Sequence, residues 1–177
     1  LADTLQNAVK ENPSKFTDEL ELFDKTDYFY LNRILRGFND AWREGKEIDW
    51  EKIFDFCITY FDKGKEKILN QSKVAQGDDS GDGKHIWLVD NIVDLIANGS
   101  RNDKRAFDPK YFNKAEKIFD LILPLLKGEK HPDTQRDAVT YALNTTLGIS
   151  VTAYISFSLR IARAIGKKEP DWGKKKF

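Results

Sequence analysis

Apolar residues recur along this chain every three or four positions, which is the spacing of amphipathic helices. Polar residues fill the positions between them, so each helix would have one buried face and one solvated face. The clearest stripes are Leu31, Ile34, Leu35, Phe38, Ala41 and Trp42; Trp50, Ile53, Phe54, Cys57, Ile58 and Phe61; Ile86, Val89, Ile92, Val93 and Ile96; and Phe112, Ala115, Ile118, Phe119, Ile122 and Leu123. The pattern predicts an all-α fold of about seven or eight helices, arranged as an irregular bundle or a short α-solenoid.

Capping and turn-forming residues divide these stripes. Asp49 and Asp108 each precede a stripe and are predicted N-caps, and Ser14 is predicted to cap an earlier helix. Gly45 is predicted to end the third helix, and Asn98-Gly99 to end the helix that begins near His85. The connections are therefore short, as stacked or bundled helices require.

Residues 138–159 contain no charged side chain, although Asp, Glu, Lys and Arg make up 33% of the chain. A segment that avoids charge on every side is expected to be packed on most sides. We therefore predict that a helix beginning near Thr145 is the central helix of the domain. Hydroxyl side chains are interleaved through the segment, which argues against a membrane span.

One polar, Gly-rich segment divides the chain into unequal halves. Residues 76–83 read Gln-Gly-Asp-Asp-Ser-Gly-Asp-Gly and lack an apolar anchor. We expect a mobile loop at 72–84 and a polar tail at 167–177. Because each half is small for a core of its own, residues 1–177 are predicted to form one domain. The absence of Met suggests a fragment of a longer protein.

Charge and cysteine content narrow the functional classes. The 29 Lys and Arg residues balance 29 Asp and Glu residues, whereas nucleic-acid-binding domains usually carry a basic excess. The single cysteine, Cys57, cannot form an internal disulfide, and its apolar helical face predicts a buried structural thiol. We expect a cytoplasmic protein.

The Gly-rich segment resembles two ligand-binding loops without completing either. Asp78, Ser80 and Asp82 followed by Gly83 match the start of a calcium loop, but Val89 stands where the closing Glu belongs. Residues 77–84 are one residue too long for a phosphate loop and are followed by His rather than Ser or Thr. A solvated linker is the better interpretation of this segment.

Other candidate groups have ordinary structural explanations. His85 and His131 lack Cys or His partners at metal-ligand spacing. Trp42, Trp50 and Trp87 fall on apolar helical faces and are predicted core residues rather than stacking platforms. We therefore assign no catalytic, cofactor-binding or metal-binding residue and expect no cofactor.

Two basic clusters keep a nucleic-acid role open. Arg101, Lys104 and Arg105 form a predicted basic loop, and Lys174 to Lys176 form a basic tail. Both could contact phosphate, although a solubilising surface is the better explanation in a chain of zero net charge.

Two stretches of the chain resemble motifs that occur together in known proteins. The segment Asp137–Gly148 is similar to the pattern D-P-x-T-x-A-I-N-S-x-R-G, here with Asn144, Thr145 and Gly148. Upstream, Leu35–Gly45 with Asp49-Trp50 and Cys57 is similar to L-R-G-x-x-x-A-x-x-x-G…D-W…C. A tryptophan helix stands between the two motifs, and its tryptophan here is Trp87.

This ordered set resembles HEAT-like helical regions of very large bacterial proteins that often carry an ATPase or sirtuin-like module, some of which are thought to act in defence against phage. The resemblance implies a scaffold of irregular stacked helix pairs, with no enzymatic role carried by these residues. Leu147 stands at the family's Arg and Ala138 at its Pro, so a role of that Arg would be lost here.

Sequence alone therefore favours a non-catalytic scaffold that recognises a protein partner or connects neighbouring domains of a larger bacterial protein. The alternative is a helical module that contacts nucleic acid through Arg101, Lys104, Arg105 and the basic tail. Near Asn144, Thr145 and Gly148, helix capping and close packing explain the motif without a ligand.

Overall fold

The computed structural model describes residues 1–74, 86–126 and 143–166. Within these ranges the chain forms helices and turns and no strand, so the all-α prediction is confirmed. The α-helices are α1 (Ala2–Glu11), α2 (Pro13–Asp18), α3 (Tyr28–Arg43), α4 (Trp50–Val74), α5 (Ile86–Arg101), α6 (Phe112–Ile122) and α7 (Thr146–Gly166). Short 3₁₀ segments occupy Leu20–Lys25, Pro109–Tyr111 and Leu123–Leu126.

Several helix ends lie where the capping residues predict them. The carboxylate of Asp49 accepts a 3.1 Å hydrogen bond from the backbone N–H of Lys52, and that of Asp108 accepts a 2.9 Å bond from Lys110. Gly45 follows α3 with a φ of 99°, a left-handed conformation that favours glycine. The two carboxylates accept hydrogen bonds from backbone N–H groups that have no partner at the start of a helix. The glycine allows the chain to turn away at the end of α3.

Three boundary predictions are wrong. Ser14 does not precede α2 as a cap, because the helix begins at Pro13, whose ring suits the first helical position. Gly99 does not end α5, which continues to Arg101. The predicted loop begins too early, since α4 includes residues 72–74; residues 75–84 and the tail at 167–177 lie outside the described residues.

The helices form two rows. In the first row, α1 packs against α3, α3 against α5, and α5 against α7. In the second row, α4 packs against α6, and α2 and the Leu20–Lys25 segment flank α4. Odd-numbered helices thus stack on one side and the even-numbered helices on the other.

Neighbouring helices of the first row run in the same direction. Gln6 and Lys10 of α1 bond to Asp40 of α3 and to Glu44 directly after α3, so both pairs are 34 residues apart. Asn91 and Asn98 of α5 bond to residues 32 and 39 of α3, both 59 positions earlier. A constant separation along two pairs of positions is possible only for parallel helices.

Aromatic rings join the two rows. Phe107, in the connection after α5, lies 5.0 Å from Trp50 and 5.4 Å from Phe54 of α4 between ring centroids. The same ring lies 6.0 Å from Phe112 of α6 and 6.3 Å from Phe157 of α7. Buried aromatic surface of this size dominates core energetics, so the centre of the domain lies around Phe107.

Helix α7 is not the central helix, which corrects the prediction for the uncharged segment. It occupies the end of the first row and buries one face only. On the other face, Val151, Ile155 and Leu159 remain 43%, 54% and 55% exposed. In the uncharged segment the inner face has small and hydroxyl residues, and the exposed face has aliphatic residues together with Thr152 and Tyr154. Residues 138–142 lie outside the described residues.

Candidate protein interface on helix α7

The inner face of α7 fits closely against the core. Its buried residues are Thr146, Ser150, Ala153, Phe157 and Arg160. The first three are small, so the helix axis can approach α5, and Phe157 enters the aromatic cluster around Phe107. The helix is therefore held to the core by its inner face, and its aliphatic residues lie on the opposite, outer face.

The start of α7 is capped by a side chain. Thr145 Oγ1 accepts a 3.1 Å hydrogen bond from the backbone N–H of Gly148, which satisfies a first-turn donor. Asn144 is exposed beside it, and Gly148 is half-buried. The sequence predicted that either Asn144 or Thr145 caps this helix, and the hydrogen bond shows that Thr145 does so.

The outer face of α7 carries one continuous aliphatic row, which we call the α7 stripe: Leu147, Val151, Ile155 and Leu159. Successive members are four residues apart and therefore lie in line along the helix. Leu147 is half-buried, and the other three are the 43–55% exposed residues described above. A contiguous exposed apolar row on a helix is typical of an interaction site, whereas single exposed apolar residues are not.

Charged groups near the stripe are directed inward or bound elsewhere. Arg163 donates from Nε to Asp103 at 3.0 Å and from its terminal nitrogen to the Ser100 carbonyl at 3.1 Å. Arg160 is 8% exposed and lies 3.8 Å from the same Asp103 carboxylate. These contacts hold both guanidinium groups on the α5 side of α7, so the stripe remains free of charge.

The three basic residues proposed for phosphate contact do not converge. The Arg105 guanidinium lies 4.4 Å from the ring centroid of Trp42 and donates a 3.0 Å bond to the Lys46 carbonyl. Arg101 instead donates a 3.4 Å bond to Asn98 on its own helix. Lys104 is exposed between them. Arg105 thus joins the α5–α6 connection to the α3–α4 connection. The basic tail at 174–176 lies outside the described residues.

Trp87 also differs from its prediction. It lies in the first turn of α5 and is 42% exposed, so its assignment to the core is wrong. Trp42 and Trp50 are 7% and 5% exposed, and their prediction as core residues is confirmed. Trp87 contributes its backbone carbonyl, which accepts a 2.8 Å bond from Asn91.

Of the remaining candidate groups, the structure describes only Cys57. Cys57 is buried, and this burial raises the pKa of its thiol far above the usual range. The loop residues Asp78, Ser80, Asp82 and Gly83, together with His85 and His131, lie outside the described residues. Among the described side chains, no group of three or more His, Cys, Asp or Glu residues could hold a metal ion.

An open cleft of about 650 Å³ lies between the Leu20–Lys25 region and α4. Three of its charged side chains are paired: Lys52 donates a 2.6 Å hydrogen bond to Asp18, and Asp55 accepts a 2.7 Å bond from Lys114 beside the cleft. Paired, solvated charges of this kind are typical of a helical surface rather than of a catalytic centre.

A feature missed at the sequence level is a series of similar links between successive helices. Lys46, after α3, donates to the Lys10 carbonyl near the end of α1 at 3.0 Å. Arg105, after α5, donates to the Lys46 carbonyl, and Arg163 of α7 to that of Ser100 near the end of α5. Each cation thus meets a carbonyl at or just beyond the end of the preceding helix, where the macrodipole favours positive charge.

A sequence signal for this repetition exists. Residues 51–55 and 116–120 both read Glu-Lys-Ile-Phe-Asp. In α4 and α6 alike, the Ile and Phe of this pentapeptide are fully buried, at Ile53, Phe54, Ile118 and Phe119. The second row therefore repeats a short sequence as well as a packing arrangement.

Comparisons of the chain with protein-family models, with curated proteins and with solved structures find no match. Among the helices of the described residues, none combines the length and apolar character needed to cross a bilayer. The interpretation of the α7 stripe consequently rests on its own geometry.

Proposed function

We propose that this chain is a non-catalytic, HEAT-like helical scaffold that binds a protein partner through the α7 stripe. The observation that carries the proposal is the aliphatic row at Val151, Ile155 and Leu159, which stands exposed at the end of a row of stacked helices. We also propose that this scaffold belongs to a larger cytoplasmic bacterial protein; the resemblance of its motifs supports the bacterial context, and the single cysteine supports the compartment.

The packing of the first row supports a stacked-repeat arrangement. α3 and α5 are parallel and related by 59 residues, and the Arg163–Ser100 bond relates α7 to α5 by a similar distance of 63. In helical solenoids each unit contacts its neighbours only, and the last unit must be capped or covered. The α7 stripe is an uncovered aliphatic surface at the end of the row that the structure describes.

The opposite end of the row differs in chemistry. The exposed positions of α1 include Thr4, Asn7 and Glu11, which are polar. A polar outer face of this kind is suited to contact with water. The contrast supports binding at α7 and solvent exposure at α1.

Site-specific photo-cross-linking tests this proposal. We would incorporate p-benzoylphenylalanine at Ile155 or, as the matched control, at Asn7 on α1, and irradiate cells that express the full chain. Adducts with a defined protein, another copy of the chain included, are expected at Ile155 and not at Asn7. Equal yields at the two positions would refute a partner-binding role for the stripe.

A further inference from the structure

We draw no further inference here: the strongest candidate, the surface patch formed by Arg36 and Arg43 of α3 and Arg101 of α5, includes the carboxylate of Asp94, whose charge offsets part of theirs, and nothing in the structure shows what covers it.

Discussion

Asn91 Nδ2 donates a 2.8 Å hydrogen bond to Asn32 Oδ1 across the boundary between α5 and α3. Seven residues further along both helices, Asn98 repeats the contact with Asn39 at 2.9 Å. Asn32 is 7% exposed, so its amide depends on this partner rather than on water. Because an amide bridge has fixed geometry, the two pairs specify the register between the parallel helices.

The first prediction concerns this pair. A double-mutant cycle with Asn32→Ala and Asn91→Ala should give a coupling energy of about 0.5–1.5 kcal/mol, the usual net value of such a bond. Urea unfolding followed by circular dichroism would measure it. Asn39→Ala combined with Asn91→Ala is the control, since these residues belong to different pairs and should act additively. Equal coupling in both cycles would show that the amide contact does not specify the register.

The second prediction compares two glycines within helices. A Cβ at Gly99 would lie 2.6 Å from the rings of Trp50 and Phe107, whereas a Cβ at Gly64 would meet no atom within 4 Å. Gly99→Ala should therefore lower the free energy of unfolding by about 1–3 kcal/mol. Gly64→Ala should raise it by up to about 1 kcal/mol through helix propensity. Thermal unfolding distinguishes the two, and a harmless Gly99→Ala would contradict the packing at the domain centre.

The third prediction concerns two buried serines. Ser150 Oγ finds no hydrogen-bond partner among the described residues, whereas Ser100 Oγ donates a 2.7 Å bond to the Ile96 carbonyl. Ser150→Ala should raise the free energy of unfolding by about 1 kcal/mol, because a desolvated hydroxyl is removed. Ser100→Ala, the control, removes a satisfied hydroxyl and should be neutral or destabilising by up to about 1.5 kcal/mol. Chemical denaturation of both variants measures the difference, and a loss at residue 150 would contradict this account of the α5–α7 contact.

The fourth prediction concerns Cys57, whose thiol pKa is raised by burial. The native state holds the proton longer than the unfolded chain, so this contribution to stability is complete below the unfolded pKa of about 8.5 and declines at higher pH. Cys57→Val should flatten the alkaline decline of the free energy of unfolding. A thiol reagent such as dithionitrobenzoate should label Cys57 only after unfolding; rapid labelling of the native protein would contradict its burial.

Some of the candidate site was visible in the sequence. The uncharged segment predicted an unusual helix and its start near Thr145, and the structure confirms that helix. Its environment was predicted wrongly, because absence of charge was taken to mean burial on most sides. A lack of charge is compatible with an exposed apolar face as well as with a buried one.

Contacts between distant parts of the chain could not be predicted. The sequence around Gly99 predicts a helix end, but the structure shows that a glycine is required there because the rings of Trp50 and Phe107 pack closely against it. Arg105 reads as a free cation in a basic loop, yet its guanidinium lies on Trp42. Each residue packs against a tryptophan more than 40 positions away, Trp50 for Gly99 and Trp42 for Arg105, and local spacing does not predict such a contact.

By itself, the sequence determined the helical character of this protein, most of its helix ends and the absence of charge from residues 138–159, because periodicity and capping are local properties of the chain. Tertiary structure decided which helices are neighbours, and hence that α7 stands at the end of a row with Val151 and Ile155 exposed. The physical reason is that an amphipathic pattern predicts that one face of a helix is buried, but it does not identify the element that packs against this face. Only the packed arrangement shows which apolar face remains uncovered.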